Sequence, residues 1–191
     1  MTTMTEEQTY TGIRTYRILL WFGIVSMIMI FAAYTSAYIV RMAEGNWTIF
    51  QLPKMFLYST ITILASSIPM QFSIYAAKNN KAYMVKSTLL LTLGLGLVFV
   101  LLQFLGWVDM VNRNLFFVAN DPSTSFVYVI TGVHLAHLAG GIIYLVYVNY
   151  KALFDNYNSQ NYFALTQCAT YWHFLGILWL YLYLFLTYAG K

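Results

Sequence analysis

The sequence predicts an all-α fold, an integral membrane bundle of five transmembrane helices, on three observations. First, 60% of the 191 residues are hydrophobic and only 8% are charged, against about 25% charged in an ordinary soluble domain. So few charges cannot cover a water-facing surface. Second, the charges are spaced so as to leave long gaps. Third, the gaps are unbroken apolar runs rather than the short two-periodic segments of a membrane barrel. Lipid offers the backbone no hydrogen-bond partner, so an isolated apolar run of this length is a helix.

Residues 1–16 read as a polar N-terminal segment, with Glu6 and Glu7 and without the basic start or small-residue cleavage site of a signal peptide. The first span follows between Arg17 and Arg41, the second between Lys54 and Lys78, the third between Lys86 and Asp109. Each gap holds 22 or 23 residues without Asp, Glu, Lys, Arg or His. At about 1.5 Å per residue, that crosses roughly 30 Å of hydrocarbon. A fourth run, Pro122 to Tyr150, is interrupted only by His134 and His137. A fifth, Asn156 to Gly190, is interrupted only by His173 and becomes apolar near Ala164. Helices are expected at about 17–40, 55–77, 84–108, 125–149 and 167–189, making residues 17–191 one transmembrane domain. The linkers are Glu44-Gly45-Asn46 with Pro53, Lys78-Asn79-Asn80-Lys81, Asn112 to Pro122, and Asp155 to Gln160. None could hold a further domain.

Basic residues set the expected orientation. With the N-terminus inside, six (Arg14, Arg17, Lys78, Lys81, Lys86, Lys151) lie on the cytoplasmic side and four (Arg41, Lys54, Arg113, Lys191) outside. The positive-inside rule then favours a cytoplasmic N-terminus and an external C-terminus. No basic cluster suits nucleic acid. The single cysteine, Cys168, excludes an internal disulfide and a cysteine-based metal cluster. It is expected to pack as a small hydrophobe.

Ionisable groups at membrane depth are costly and mark what a span does. Three are present: His134, His137 and His173. The first two are three residues apart, on one helix face. Three histidines could ligate haem or a metal, but no carboxylate or second histidine pair accompanies them in a span. Hydrogen bonding between helices is the plainer expectation. Gly132, Ala136 and Gly140 recur every four residues, a pattern that admits a closely packed helix. Gln103 is expected to find a partner on another helix. Ser66, Ser67 and Pro69 suggest a kink whose freed carbonyls the hydroxyls satisfy. No nucleophile–base pair or carboxylate pair is present, so no catalytic residue is assigned.

Two motifs carry a resemblance. Thr131-Gly132-Val133-His134-Leu135-Ala136-His137 with Gly140, and Tyr171-Trp172-His173-Phe174 with Trp179, resemble the paired signatures of subunit III of the haem-copper oxidases. They occur in that order in the last two helices. Gly94, Phe99 and Gln103 are similar to residues of the family's preceding helix, and Ser66-Ser67 to a serine pair before that. The likeness runs from about Trp21 to Tyr188. Five helices match the shorter bacterial form, which lacks the two leading helices of the seven-helix mitochondrial form. Three buried acids common in the family are replaced, at Met27, Gly106 and Gly176.

The resemblance implies a subunit with no haem or copper of its own, those groups residing in partner subunits. It implies packing on subunit I, proximity to subunit II and other oxidase subunits, bound phospholipid, and support of oxygen access and proton uptake. The plasma membrane of a bacterium is the implied location. Two rivals stand beside it: the subunit III-like accessory protein of nitric oxide reductase, and a stand-alone membrane transporter or haem protein built on His134, His137 and His173.

Overall fold

The computed structural model describes residues 2–45, 47–117, 122–154, 157, 159 and 161–189, with side chains from Arg14 onward. Asn46, residues 118–121 and most of the 155–160 linker lie outside them. Five helices follow in order: α1 Thr2–Ala43, α2 Lys54–Lys78, α3 Ala82–Asn112, α4 Pro122–Phe154 and α5 Phe163–Tyr188. All five contain a stretch long and apolar enough to cross a membrane. Helices α1 to α4 outrun their expected spans, because charged residues end the hydrocarbon-compatible stretch without ending the hydrogen-bond ladder; α5 begins earlier than expected, at Phe163, and ends one residue short, at Tyr188. The largest extension is in α1, whose backbone is helical through most of residues 1–16, and whose membrane-compatible part begins at Arg14. No proline falls within residues 1–16 to break it.

Local chemistry fixes the ends. Pro122 opens α4, where a missing N–H costs nothing. Asn80 and Asn114 take positive φ of 54° and 59° just past α2 and α3. The following N–H groups reach back, Lys81 to Ala76 O and Leu115 to Met110 O, in the paired pattern of a left-handed C-cap.

Helix α2 packs on α3 and α5, α3 on α4, and α4 on α5, closing a four-helix ring; α1 lies outside it against α4 and α5. The buried seams repeat at alternating three- and four-residue steps. On α3 the seam is Val85, Leu89, Thr92, Gly96, Phe99, Gln103, Gly106 and Met110. On α4 it is Val127, Thr131, His134, Leu138, Gly141, Leu145 and Val148, and on α5 Leu165, Cys168, Trp172, Leu175, Trp179, Leu182 and Leu186. That period is the signature of left-handed bundle packing. Cys168 is buried in the α5 seam, as expected for a small hydrophobe. Rings hold α1 in place: Tyr38 stands edge-on to Trp47 (4.6 Å) and Phe185 (5.2 Å), and Phe31 to His137 (5.8 Å).

Candidate functional site

The second helix is the acceptor of the bundle. Gln103 Nε2 donates to Ser59 Oγ at 2.8 Å, as expected of an interhelical amide. Trp179 Nε1 donates to Thr60 Oγ1 at 2.9 Å and Trp172 Nε1 to Ser66 Oγ at 2.9 Å. Each hydroxyl passes its own proton to a carbonyl of α2: Ser59 and Thr60 to Phe56 O, and Ser66 to Ile63 O. A hydroxyl both donates and accepts, so each tie leaves no donor stranded in a dry interior. Ser66 therefore serves the α5 indole and its own turn rather than the Ala65 carbonyl that Pro69 leaves free. Ser59 and Thr60 escaped the sequence reading. Their signal was a run of hydroxyls (Ser59, Thr60, Ser66, Ser73) at helical spacing on one buried face.

The remaining motif groups tie the other helices. Trp107 Nε1 donates to Thr131 Oγ1 at 3.1 Å, and Thr131 donates to Val127 O. The Tyr171 hydroxyl donates to His137 O at 3.1 Å, joining α5 to α4. Phe174 is half-buried against the core. Gly96 lets Trp172 approach α3: a Cβ built there would stand 2.7 Å from Cη2 of the indole. It is thus Gly96, three residues before Phe99, that packs closely, while Gly94 faces open space.

The histidines depart from expectation. His134 is fully buried, and neither ring nitrogen has a hydrogen-bond partner among the described residues. Its neighbours are ring carbons: Trp179 at 4.9 Å, Phe99 at 6.1 Å and Phe31 at 6.3 Å between centroids. The one nearby indole N–H is already committed to Thr60. His137 Nδ1–H donates to Val133 O at 2.8 Å, one turn back on its own helix. Only His173 bonds across helices, its Nε2–H donating to Gln71 Oε1 at 3.3 Å. Two of the three imidazoles therefore pack rather than link. Among the described residues no three His, Cys, Asp or Glu side chains assemble into a ligand set.

The small-residue stripe on α4 faces away from the close helix contacts made within this chain. Ala136 and Gly140 are exposed, and nothing approaches a Cβ at Gly132. Gly132 and Ala136 line an apolar groove of about 480 Å³ between α3 and α4. The close α4–α5 contact runs through Gly141, where a Cβ would meet Leu175 at 2.9 Å. At the three positions lacking the buried acid, Met27 is buried with its Sδ 4.0 Å from the Tyr171 hydroxyl. Gly106 lies against the Phe56 ring, and Gly176 faces Ser67 and Ile63.

These features define a multi-pass helical membrane protein whose motif side chains mostly tie and fill the bundle. The model of the cytochrome c oxidase subunit III family matches residues 2–191, and the chain belongs to that family. Cytochrome c oxidase subunit 3 of Spodoptera frugiperda is 27% identical over 74% of this chain and 92% of its own length. The Ovis aries protein of that name is 27% identical over 71% of this chain, and the Homo sapiens one 28% over 71%. The matched part spans about half (50%) of each of these two relatives.

Proposed function

We propose that this chain is the non-catalytic subunit III of a haem-copper terminal oxidase in a bacterial plasma membrane. It packs on subunit I beside subunit II and other oxidase subunits, with a cytoplasmic N-terminus and a periplasmic C-terminus. Haem and copper in the partner subunits would supply the oxygen chemistry. This chain's residues supply a rigid apolar wall.

The observation that carries the reading is how the family-motif side chains are used. The Gln103 amide and the Trp172 and Trp179 indoles donate to hydroxyls on α2, and the Thr131 hydroxyl accepts from the Trp107 indole of α3. Groups committed in this way hold helices together rather than bind a substrate. The replacements at Met27, Gly106 and Gly176 take buried carboxylates out of the spans, so proton uptake is supported by holding subunit I in shape rather than by relaying protons here. A groove of about 560 Å³ between α1, α4 and α5, lined by Tyr16, Leu20, Tyr147 and Gln167 among others, suits a phospholipid chain. Arg17, whose guanidinium stands 6.0 Å over the Phe163 ring of that groove, suits its phosphate.

Purifying the oxidase with and without this chain tests the reading. Without it, oxygen consumption starts normally and then fails after fewer turnovers. Undiminished activity over many turnovers refutes the supporting role. A nitric oxide reductase as the co-purifying catalytic partner would refute the oxidase assignment.

A further inference from the structure

The outward face shared by α2 and α5 carries polar atoms where lipid should meet only hydrocarbon. Gln71 is exposed on α2, and His173 is half-buried beside it on α5. The His173 Nε2–H donates to Gln71 Oε1. That bond leaves the two N–H groups of Gln71 Nε2 and the lone pair of His173 Nδ1 without a partner among the described residues. Ser67 lies one turn away on the same face of α2. Ser67, Ile68, Gln71, Phe72 and Tyr75 line an open groove of about 520 Å³.

Depth makes this arrangement unusual. Gln71 is five residues from the midpoint of the 25-residue α2, about 7–8 Å along the axis, where the hydrocarbon half-thickness is about 15 Å. The outward residues around it, Leu64, Ile68 and Phe72 on α2 and Ile177 on α5, are apolar and exposed. The side-chain amides Gln103, Asn149 and Gln167 are buried, and the exposed Asn112 is the last residue of α3. Hydrocarbon can neither accept from an amide nor donate to an imidazole, so polar groups at this depth face protein or a wet cavity. Of the other helices, α2 packs only on α3 and α5 among the described residues, and Gln71, Ile68 and Phe72 stay exposed.

We propose that the Gln71–His173 face of α2 and α5 is the surface on which a transmembrane helix of the oxidase's catalytic subunit packs. The partner helix presents, at matching depth, a hydroxyl, amide or protonated carboxyl that accepts from the Gln71 amide and donates to His173 Nδ1. A helix fits where a phospholipid does not, since a lipid places its polar atoms at the interface and only methylenes at this level. The inference rests on the oxidase assembly proposed above and adds the face and the pair of side chains through which it forms.

The test uses the whole complex in native membranes. A photo-crosslinking residue replaces Ile68 on this face or Ile143 on the outward face of α4, and Gln71→Leu and His173→Leu are made separately. Expected are adducts from position 68 to the catalytic subunit. Retention of this chain during detergent titration should fall about threefold to tenfold in each leucine variant, in line with interhelical hydrogen bonds in membranes. Leucine at a lipid-facing position would leave retention unchanged or improved. If the oxidase co-purifies but position 68 labels only lipid or a second copy of this chain, the face is wrong and the oxidase reading stands. Unchanged retention of both leucine variants likewise overturns the face and spares the oxidase reading. If no oxidase co-purifies, both fall.

Discussion

Replacing Gly96 with alanine should destabilise the bundle, while the same change two residues earlier should stabilise it. A Cβ at Gly96 would lie 2.7 Å from Trp172 Cη2 and 3.0 Å from Cζ2, whereas carbon atoms pack at about 3.5 Å or more. The indole must retreat by about 0.8 Å. It cannot do so freely, because Trp172 is 1% exposed and its Nε1–H is held by Ser66 at 2.9 Å. Overpacking of this kind costs about 1–3 kcal/mol, against which alanine returns about 0.5–1 kcal/mol of helix propensity. Gly94 has nothing within 4 Å of a Cβ and collects the propensity gain alone. The two variants should therefore differ by about 1–3 kcal/mol, or roughly 2–12 °C in unfolding midpoint for a chain of this size. Thermal unfolding of the purified protein in detergent reads the difference. Trp172→Phe deletes the ring atoms that collide, so adding Gly96→Ala to it should show a coupling of similar size. Equal midpoints for Gly94→Ala and Gly96→Ala would refute the close approach of α5 to α3.

Further outcomes follow from the same contacts. Ser66→Ala strands the Trp172 N–H and should cost about 0.6–1.7 kcal/mol; Thr60→Val does the same to Trp179, and full additivity of Ser66→Ala with Trp172→Phe would contradict the bond. Gly176→Ala should raise the midpoint, since its nearest neighbours would stand at 3.7 and 3.9 Å, whereas Gly106→Ala meets the buried Phe56 ring at 3.1 Å and should be neutral or harmful; the reverse order in detergent unfolding would refute the packing. Asn80→Ala should cost about 1–2 kcal/mol for its left-handed backbone and Asn80→Gly less, by the same measurement.

The spans were legible because hydrocarbon imposes length and excludes charge whatever the partners. Charge gaps of 22 or 23 residues placed the first three helices, and two longer runs broken only by histidines placed the last two. Only the helix ends moved, since a helix does not stop where lipid does. The interhelical role of Gln103 was legible too, because an uncharged amide in a dry span must find a partner. The fate of each imidazole was not. Whether His134 bonds or packs depends on which rings three other helices bring to it, and Phe31, Phe99 and Trp179 are distant in the chain. Nor was the choice between Gly96 and Gly94, or between Gly141 and the Gly132–Gly140 stripe. In water, hydropathy itself marks the buried face of a helix; in a membrane, lipid-facing and core-facing residues are both apolar. The sequence by itself determined that five helices cross and that few polar groups go with them. Which face of each turns inward was decided only by the tertiary structure, where small residues and hydroxyls on one helix meet rings and indole donors on the next.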